Sequence, residues 1–148
     1  MLVVKVDRSV RPVYPDWVKD ILHPRLERKG PLEFHLRTGL NQWLHGGQKN
    51  GGGIIGSNIY GYLKNNGMLS SRLNLQDGLA IQAKGIVIFR KLFQERSLFL
   101  WKSVVCRDDG RRHVPYLFGD DGRIVIHWCW FDATLLEDSD PALRFSCR

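Results

Sequence analysis

The fold predicted for this chain is decided by one stretch, residues 97–132, whose sequence is SLFLWKSVVCRDDGRRHVPYLFGDDGRIVIHWCWFD. It contains three runs of β-branched and aromatic residues, Leu98 to Cys106, His113 to Phe118 and Arg123 to Phe131. Between them stand Asp109-Gly110 and Asp121-Gly122, dipeptides that adopt the positive φ angles of tight hairpin turns. The pattern predicts an antiparallel three-stranded meander, with no helix in the first or third run.

The predicted strands are apolar on both faces. If each Asp-Gly dipeptide forms a two-residue loop, the opposed pairs are Cys106 with His113, Val105 with Val114, Tyr116 with His127, and Val114 with Cys129. One face then carries Phe99, Trp101, Val105, Val114, Tyr116, Phe118, Val125, His127, Cys129 and Phe131. The other carries Leu98, Leu100, Lys102, Val104, Cys106, His113, Leu117, Ile124, Ile126, Trp128 and Trp130. We expect such a sheet to be covered on both sides, or to keep one face for a ligand or a protein.

Pro115 interrupts the pattern of the middle run. A proline has no N–H, so it removes one donor from the hydrogen-bond ladder. The sequence therefore predicts a bulge or a sheet edge at this position, and a bulge would shift the facing of the third strand by one residue.

Length and composition limit the class of protein. The chain has 148 residues, of which 43% are hydrophobic, and this favours a single globular domain over residues 1–148. No run approaches the ~20 apolar residues of a membrane span, and Met1 to Lys5 lacks the features of a secretory signal. We therefore expect a soluble, cytoplasmic protein. The three cysteines, Cys106, Cys129 and Cys147, have no CxxC spacing, which predicts reduced thiols that bind no metal.

The net charge of +7 is unevenly distributed along the chain. Residues 1–100 contain 15 Lys and Arg against 7 Asp and Glu, whereas residues 101–148 contain 7 against 8. A basic surface on the first part would attract nucleic acid, an anionic membrane or an acidic protein. Adjacent positive residues occur only at Arg28-Lys29, Arg90-Lys91 and Arg111-Arg112, so no basic run marks a phosphate-binding stripe.

Upstream of the meander, the sequence predicts short elements and two longer helices. Leu2 to Val6 suggests a strand that could join the edge of the sheet, and Pro15 begins a predicted helix through Leu22. Leu40 to His45 suggests one or two helical turns. A helix capped by Ser57 runs to Asn66, and a longer one covers Leu75 to Phe93, with Gly78 and Gly85 packed closely on another element. Leu143 to Phe145 is a predicted last strand.

Gly51, Gly53 and Gly56 match the spacing G-x-G-x-x-G ahead of a helix, with Asp77 further along. The dinucleotide chemistry of this motif needs a buried parallel strand before the glycines, and Gln48-Lys49-Asn50 does not resemble one. No lysine follows Gly56, so a P-loop is incomplete as well. The alternatives are a nucleotide site and a surface loop, and the pattern favours the loop.

Cysteine and histidine provide two further candidate sites. His127 and Cys129 lie two apart on one strand, while Cys106 and His113 are expected to pair across the first hairpin. The two pairs are predicted on opposite faces, so a zinc site would need a bulge. A nucleophilic dyad of Cys106 and His113 is the other alternative, although no orienting group can be named for it.

The segment from Ser57 to Asn66, followed by Gly67-Met68-Leu69 and a second helix, resembles the helix-loop-helix part of winged-helix DNA binders. The resemblance covers about 20 residues. It implies that Lys84, Arg90 and Lys91 on the longer helix contact phosphate. The structural alternative is that these residues form a solvated helix face.

Together these observations predict an α+β domain, with an antiparallel sheet of three to five strands built mainly from the C-terminal third and packed with helices from the middle of the chain. The function best supported by the sequence is a small non-enzymatic accessory or regulatory protein, without a cofactor or a membrane, that binds another macromolecule. Its candidate binding surface consists of Lys84, Arg90, Lys91, Trp101, Tyr116 and His127. The alternatives are a nucleic-acid-binding protein, and an enzyme with a site around His127, Cys129 and Tyr116.

Overall fold

The computed structural model describes residues 2–136 and 139–146. Within them the strands are β1 Val3–Lys5, β2 Asp20–Ile21, β3 Glu33–His35, β4 Leu40–Trp43, β5 Gly53–Ile55, β6 Leu98–Phe99, β7 Val105–Cys106, β8 Arg112–Asp120, β9 Arg123–Trp130, β10 Thr134–Leu136 and β11 Ala142–Phe145. The α-helices are α1 Gly56–Asn65, α2 Leu75–Gln82 and α3 Ile86–Phe93. The elements confirm an α+β chain.

A mixed sheet of seven strands forms the centre of the described part of the chain. Strand β8 pairs with β9 along one edge, and along its other edge it pairs first with β7 and then with β6. Strand β7 continues to β2, whereas β6 continues to β11 and β4. The β6–β11 pair is parallel. The predicted antiparallel sheet of three to five strands is therefore wrong in strand number and in being purely antiparallel, because β2, β4 and β11 come from outside the meander.

The second predicted hairpin is confirmed. Asp121 and Gly122 have φ angles of 48° and 80° and connect the opposed residues Asp120 and Arg123. Tyr116 lies opposite His127 and Val114 opposite Cys129, as predicted. A two-residue loop with positive φ at both positions matches the twist of the flanking strands, which is why this register could be read from sequence.

The first hairpin has a longer loop than predicted. Arg107 donates its N–H to the carbonyl of Arg111, so the loop consists of residues 108–110, and Gly110 adopts a φ of 85°. The extra loop residue shifts the register by one, so that Val105 lies opposite His113 and Cys106 opposite Arg112. The predicted pairs Cys106 with His113 and Val105 with Val114 are therefore wrong.

The first predicted strand is divided in two at the position that faces Pro115. Between β6 and β7 the chain makes a turn in which Ser103 donates its N–H to the carbonyl of Leu100. Pro115 has no N–H to donate to a continuous neighbouring strand, whereas its carbonyl accepts a hydrogen bond from the N–H of Leu100. The bulge or sheet edge predicted at Pro115 is therefore wrong, because Pro115 lies inside β8 with an unbroken β8–β9 register, and the interruption lies in the neighbouring strand instead.

The two faces of the sheet bury separate hydrophobic clusters, which confirms the predicted cover on both sides. Leu98, Leu100, Leu117 and Ile124 pack with residues of α2, α3, β1 and β3, among them Ile81, Phe89, Val4 and Phe34. Phe99, Trp101, Val114 and Phe131 pack on the opposite face with Ile59, Tyr60 and Leu63 of α1. Helices therefore shield each face over part of its length.

Two predicted helical segments are strands. The segment from Pro15 to Leu22 turns at Asp16-Trp17 and then forms β2, where Lys19 and Leu22 donate to the carbonyls of Cys106 and Val104. Residues 40–43 form β4, which pairs with β11. In both places, the unpaired edge of the main sheet supplies backbone partners that outweigh a weak helical periodicity.

The helices also differ from prediction in their limits. Helix α1 begins at Gly56 with Ile55 at its N-cap position, so Ser57 is not the cap, whereas the end at Asn65 agrees with the sequence. The long helix predicted from Leu75 to Phe93 is two helices, because the chain turns at Gly85 with a φ of 93°. The close packing predicted for Gly78 is confirmed against Leu100, and at Gly85 it is wrong.

The terminal strands were predicted with mixed success. Leu143 to Phe145 lies within β11, as expected. Strand β1 exists, but it pairs with β3 in a separate two-stranded sheet and does not extend the edge of the main sheet.

Two helical glycines provide a test of the packing between α2 and the sheet. A Cβ at Gly78 would lie 2.5 Å from Cδ1 of the buried Leu100, whereas a Cβ at Gly61 in α1 meets nothing within 4 Å. We expect Gly61→Ala to stabilise the fold by about 0.5–1 kcal/mol through helix propensity. Gly78→Ala should be less stable than Gly61→Ala by about 1–3 kcal/mol because the core is overpacked. Urea unfolding measures both, and equal gains would contradict the packing.

Candidate functional site

An exposed cluster of aromatic and arginine side chains covers the end of the sheet that the helices leave open. We call it the Trp–Arg surface and define it as Trp17, Arg107, Arg111, Trp128 and Trp130. Trp128 and Trp130 alternate with Cys129 along β9 and therefore lie on one face. Trp130 is 43% exposed, and Trp17 and Trp128 are half-buried.

Trp17 reaches this surface because the chain before β2 is fixed on the sheet. Pro12 and Pro15 hold the preceding backbone extended, and the pairing of Asp20 with Cys106 anchors the segment that follows. The indole of Trp17 then packs edge-on against Trp128 with 5.5 Å between ring centroids, and 5.1 Å from the ring of His113. Contacts of this kind hold aromatic side chains in one arrangement.

Two guanidinium groups lie over the indole rings. Arg107 is 5.2 Å from the ring centroid of Trp17, and Arg111 is 5.4 Å from that of Trp130. Such cation–π contacts are worth about 0.5–1 kcal/mol at exposed sites. They place both guanidinium groups over the aromatic surface, where they can contact a partner.

Carboxylates next to the arginines reduce the net charge of the surface. Asp109 lies 3.5 Å from Arg111, and Asp108 occupies the same exposed loop. The side of the surface formed by this loop is therefore nearly balanced in charge. Burial lowers the pKa of His113, and the charge of nearby Arg107 acts in the same direction.

A group of buried polar side chains lies at the start of α2. Asp77, fully buried, forms an ion pair of 2.7 Å with Arg8, and its other oxygen accepts from the backbone N–H of Asn74. Lys102 is 2% exposed and donates to the carbonyl of Lys29 at 2.9 Å. Burial lowers the pKa of Lys102 to about 8, and the charge of Asp77 acts in the opposite direction.

The same buried group extends to Tyr14 and Glu27. Burial and then the charge of Glu27 raise the pKa of Tyr14 to about 12. Asn74 donates to the carbonyl of Glu27 at 2.9 Å and so ties residues 26–29 to the start of α2. Because Asp77, Lys102 and Glu27 are each 2% exposed or less, a substrate has no direct access to them. Their arrangement is that of a structural cluster.

The structure separates the six residues predicted as a binding surface. Trp101 is 1% exposed and packs on Phe99 and Phe131, so its assignment to a surface is wrong. Tyr116 is half-buried, and His127 is exposed beside it with 6.2 Å between ring centroids. Of the aromatic residues predicted for the binding surface, Tyr116 and His127 therefore remain.

The basic part of the prediction lies on the other face of the molecule. Lys84 lies in the turn between α2 and α3, and Arg90 and Lys91 occupy the end of α3. Arg90 is 3.7 Å from Glu95, and both side chains are largely solvated. The single helix implied by the resemblance to winged-helix proteins, with all three residues along it, is wrong because the chain turns at Gly85.

The glycine-rich segment is part of a small sheet. Strand β5 lies inside the G-x-G-x-x-G spacing and pairs antiparallel with β10, so the order of a dinucleotide-binding loop does not occur here. At Gly56, a Cβ would meet the carbonyl oxygen of Phe131 at 3.0 Å. This glycine allows the start of α1 to approach the end of β9 closely.

The cysteine and histidine candidates are not brought together. Cys106 and His113 lie on opposite faces of the sheet in the observed register, so the predicted dyad is wrong. Among residues 2–136 and 139–146, no group of three or more His, Cys, Asp and Glu side chains could hold a metal ion. Cys106 and Cys129 are free thiols, and Cys147 lies outside the described residues. Burial raises the pKa of Cys129 to about 11, which disfavours the thiolate.

Comparison with known proteins identifies no relative. No family model matches the chain, and neither the curated proteins nor the solved structures provide a match. In the part of the chain that the structure describes, no helix has the length and apolar character of a membrane span.

Sequence reasoning missed the Trp–Arg surface for two reasons. The sequence predicts Trp17 on a helix, and it leaves open whether the face that carries Trp128 and Trp130 is covered or kept for a partner. A signal was present in the adjacent Arg111-Arg112 next to aromatic strands. The contact of Arg107 with Trp17 joins residues 90 positions apart, so a local pattern does not reveal it.

The buried ion pair predicts a large effect at Asp77. In Asp77→Asn, Arg8 and Lys102 lose the carboxylate that faces them both, and we expect a loss of about 3–5 kcal/mol in unfolding free energy. The exposed pair of Arg90 and Glu95 is the matched control, and Glu95→Gln should cost less than about 1 kcal/mol. Similar losses for the two variants in urea unfolding would contradict this view.

The lowered pKa of Lys102 predicts a specific dependence of stability on pH. Between about 8 in the folded chain and 10.5 when unfolded, only the unfolded state holds the proton, so stability rises with pH through this window. Lys102→Met should lack that contribution. We expect the stability difference between wild type and Lys102→Met to change in favour of wild type from about pH 7.5 to about pH 9.5. A constant difference would show that Lys102 titrates normally.

Proposed function

We propose that this protein is a non-enzymatic binding protein that docks another protein through the Trp–Arg surface. The observation that supports this function best is the stacking of Arg107 on Trp17 and of Arg111 on the exposed Trp130. Tryptophan and arginine are enriched among the residues that dominate binding energy at protein interfaces. The ring contacts of Trp17 with Trp128 and His113 make the surface rigid, which lowers the entropy lost on binding.

The charge of the surface favours a protein over nucleic acid. A phosphate backbone requires a strip of uncompensated positive charge. Here Arg111 has Asp109 within 3.5 Å, and Asp108 lies in the same loop. A phosphate chain would approach these carboxylates at the same time as the arginines. A protein partner, which offers both signs of charge and apolar area, fits the arrangement better.

The basic residues of the first 100 positions do not favour a single phosphate-binding face. Arg8 and Arg72 are buried or nearly so. The exposed ones are distributed over many elements, namely Lys5, Arg11, Lys19, Arg25, Arg28, Lys29, Arg37, Lys49, Lys64, Arg90 and Lys91. The net charge supports fast, unspecific attraction to anionic partners, but docking geometry has to come from another feature.

Four well-formed surface cavities do not coincide with the predicted enzyme site around His127, Cys129 and Tyr116. Four surface cavities of between 370 and 480 Å³ lie along β1, β3, β4, α2, α3 and the segment after β1. None of these four is lined by Tyr116, His127 or Cys129. A catalytic site in that neighbourhood would need a concave pocket with convergent polar groups.

The proposal predicts which substitutions abolish binding. We expect cross-linking of the full chain in cell extract to yield a protein partner. That partner should bind Trp130→Ala about 30-fold or more weakly than it binds purified wild type, which is the loss typical of a dominant interface residue. Arg111→Ala should also weaken it, and the affinity should change little with added salt. Val87→Ala on α3, whose side chain is 78% exposed, is the matched control and should bind as wild type does.

A steep loss of affinity with salt, together with normal binding by Trp130→Ala, would overturn the proposal. If substitution of Arg90 and Lys91 then abolished binding, the basic face would be the docking surface. Nucleic acid would become the favoured partner in that case.

A further inference from the structure

We infer that the outer edge of β9 is a docking site for β9 of a second copy of this chain, with the two strands antiparallel. The inference concerns the backbone edge of β9, whereas the proposed function concerns a face of the sheet, and the side chains of Trp128 and Trp130 take part in both. The inference therefore goes beyond the proposed function and does not depend on it.

The direction of the backbone groups shows that the edge is open. Phe131 donates its N–H to Arg112, the residue opposite it, so in the β8–β9 ladder the odd-numbered residues of β9 bond to β8. The N–H and C=O groups of Ile126 and Trp128 consequently point away from β8. Consistent with this, the carbonyl of Ile124 accepts from the side chain of Gln82, and that of Trp130 accepts from Ala133.

Within the described residues, no backbone hydrogen bond reaches Ile126 or Trp128 from another strand or loop, and β9 pairs with β8 alone. The edge also lacks the features that protect edge strands. Residues 124–130 contain no proline, no glycine and no Lys, Arg, Asp or Glu. An uncharged edge with two residues whose backbone groups remain open is a template for a further strand.

The sequence of β9 is complementary to itself in one antiparallel register. With His127 opposite His127 of the second copy, Ile126 and Trp128 of each copy exchange both of their backbone hydrogen bonds with Trp128 and Ile126 of the other. On the face of the Trp–Arg surface, each indole then lies opposite an isoleucine, and on the other face Val125 lies opposite Cys129. Aromatic pairs with β-branched residues are favourable across strands. Both copies therefore make the same contacts, as a two-fold interface requires.

The pairing of β9 with itself identifies the occupant. In this register Ile126 and Trp128 satisfy each other's backbone groups and pair their side chains, so a second copy of β9 supplies both kinds of contact. Exposed Asp120 and Asp121 adjoin Arg123, so the charges at the ends of β9 do not select an orientation.

The experiment uses the two-fold position of His127, whose exposed side chain meets its own symmetry mate. Sedimentation equilibrium of the purified full chain should show a monomer–dimer equilibrium. His127→Lys and His127→Asp each place like charges next to each other across the axis, in a pair that is not hydrogen-bonded and has Cβ atoms about 5 Å apart. Each variant alone should dimerise at least about tenfold more weakly than wild type, and an equimolar mixture of the two should restore wild-type association. Val87→Lys, at a distant exposed site, should dimerise normally.

A second measurement needs only wild type. Amide hydrogen exchange at Ile126 and Trp128 should slow as protein concentration rises, while exchange at Val87 should not change. A wild-type chain that stays monomeric, with concentration-independent exchange at Ile126 and Trp128, would overturn the inference and leave an extended peptide of another protein as the candidate for this edge. A dimer that survives unchanged in both His127 variants, with no restoration in their mixture, would place the interface elsewhere and overturn it equally.

Discussion

The backbone hydrogen bonds of β8 are the interaction on which the rest of the sheet depends. Along one edge they hold β9, and along the other they hold β7 and β6 in succession. Pro115 lies in the middle of β8 without an N–H, and the neighbouring strand divides opposite it. One branch leads through β7 to β2 and brings the N-terminal segment with Trp17 onto the sheet. The other leads through β6 to β11 and β4.

The cover of the sheet explains where binding surfaces remain. Helix α1 shields one face near Phe99 and Phe131, and α2 and α3 shield the other near Leu117 and Ile124. At the end of the second face, around Trp128 and Trp130, the irregular segment that carries Trp17 packs on Trp128. Apolar residues that helices would otherwise bury are therefore half-exposed, and arginines from the first hairpin loop lie over them.

Buried charges hold the parts of the chain that have little regular structure. Arg8 is paired with Asp77 at the start of α2, and Lys102, between β6 and β7, donates to the carbonyl of Lys29. These bonds join the N-terminal third of the chain to α2 and to the turn between β6 and β7. A hydrophobic replacement could supply the same burial, but it would lack the directional bonds that place residues 26–31 in one position.

The sequence by itself determined the β8–β9 hairpin, its register and the apolar character of both sheet faces. Those features depend on neighbours in the chain: the Asp121-Gly122 turn sets the register, and alternation along β9 sets the facing. Local pattern also located α1 and the last strand. Only the tertiary structure decided that residues 20–21 and 40–43 are strands, because their hydrogen-bond partners, β7 and β11, lie more than 80 residues away in the chain. The Trp–Arg surface depends on the same long-range pairing, since β2 places Trp17 next to Trp128. A residue pattern records local preference, whereas these contacts exist only once distant strands have met.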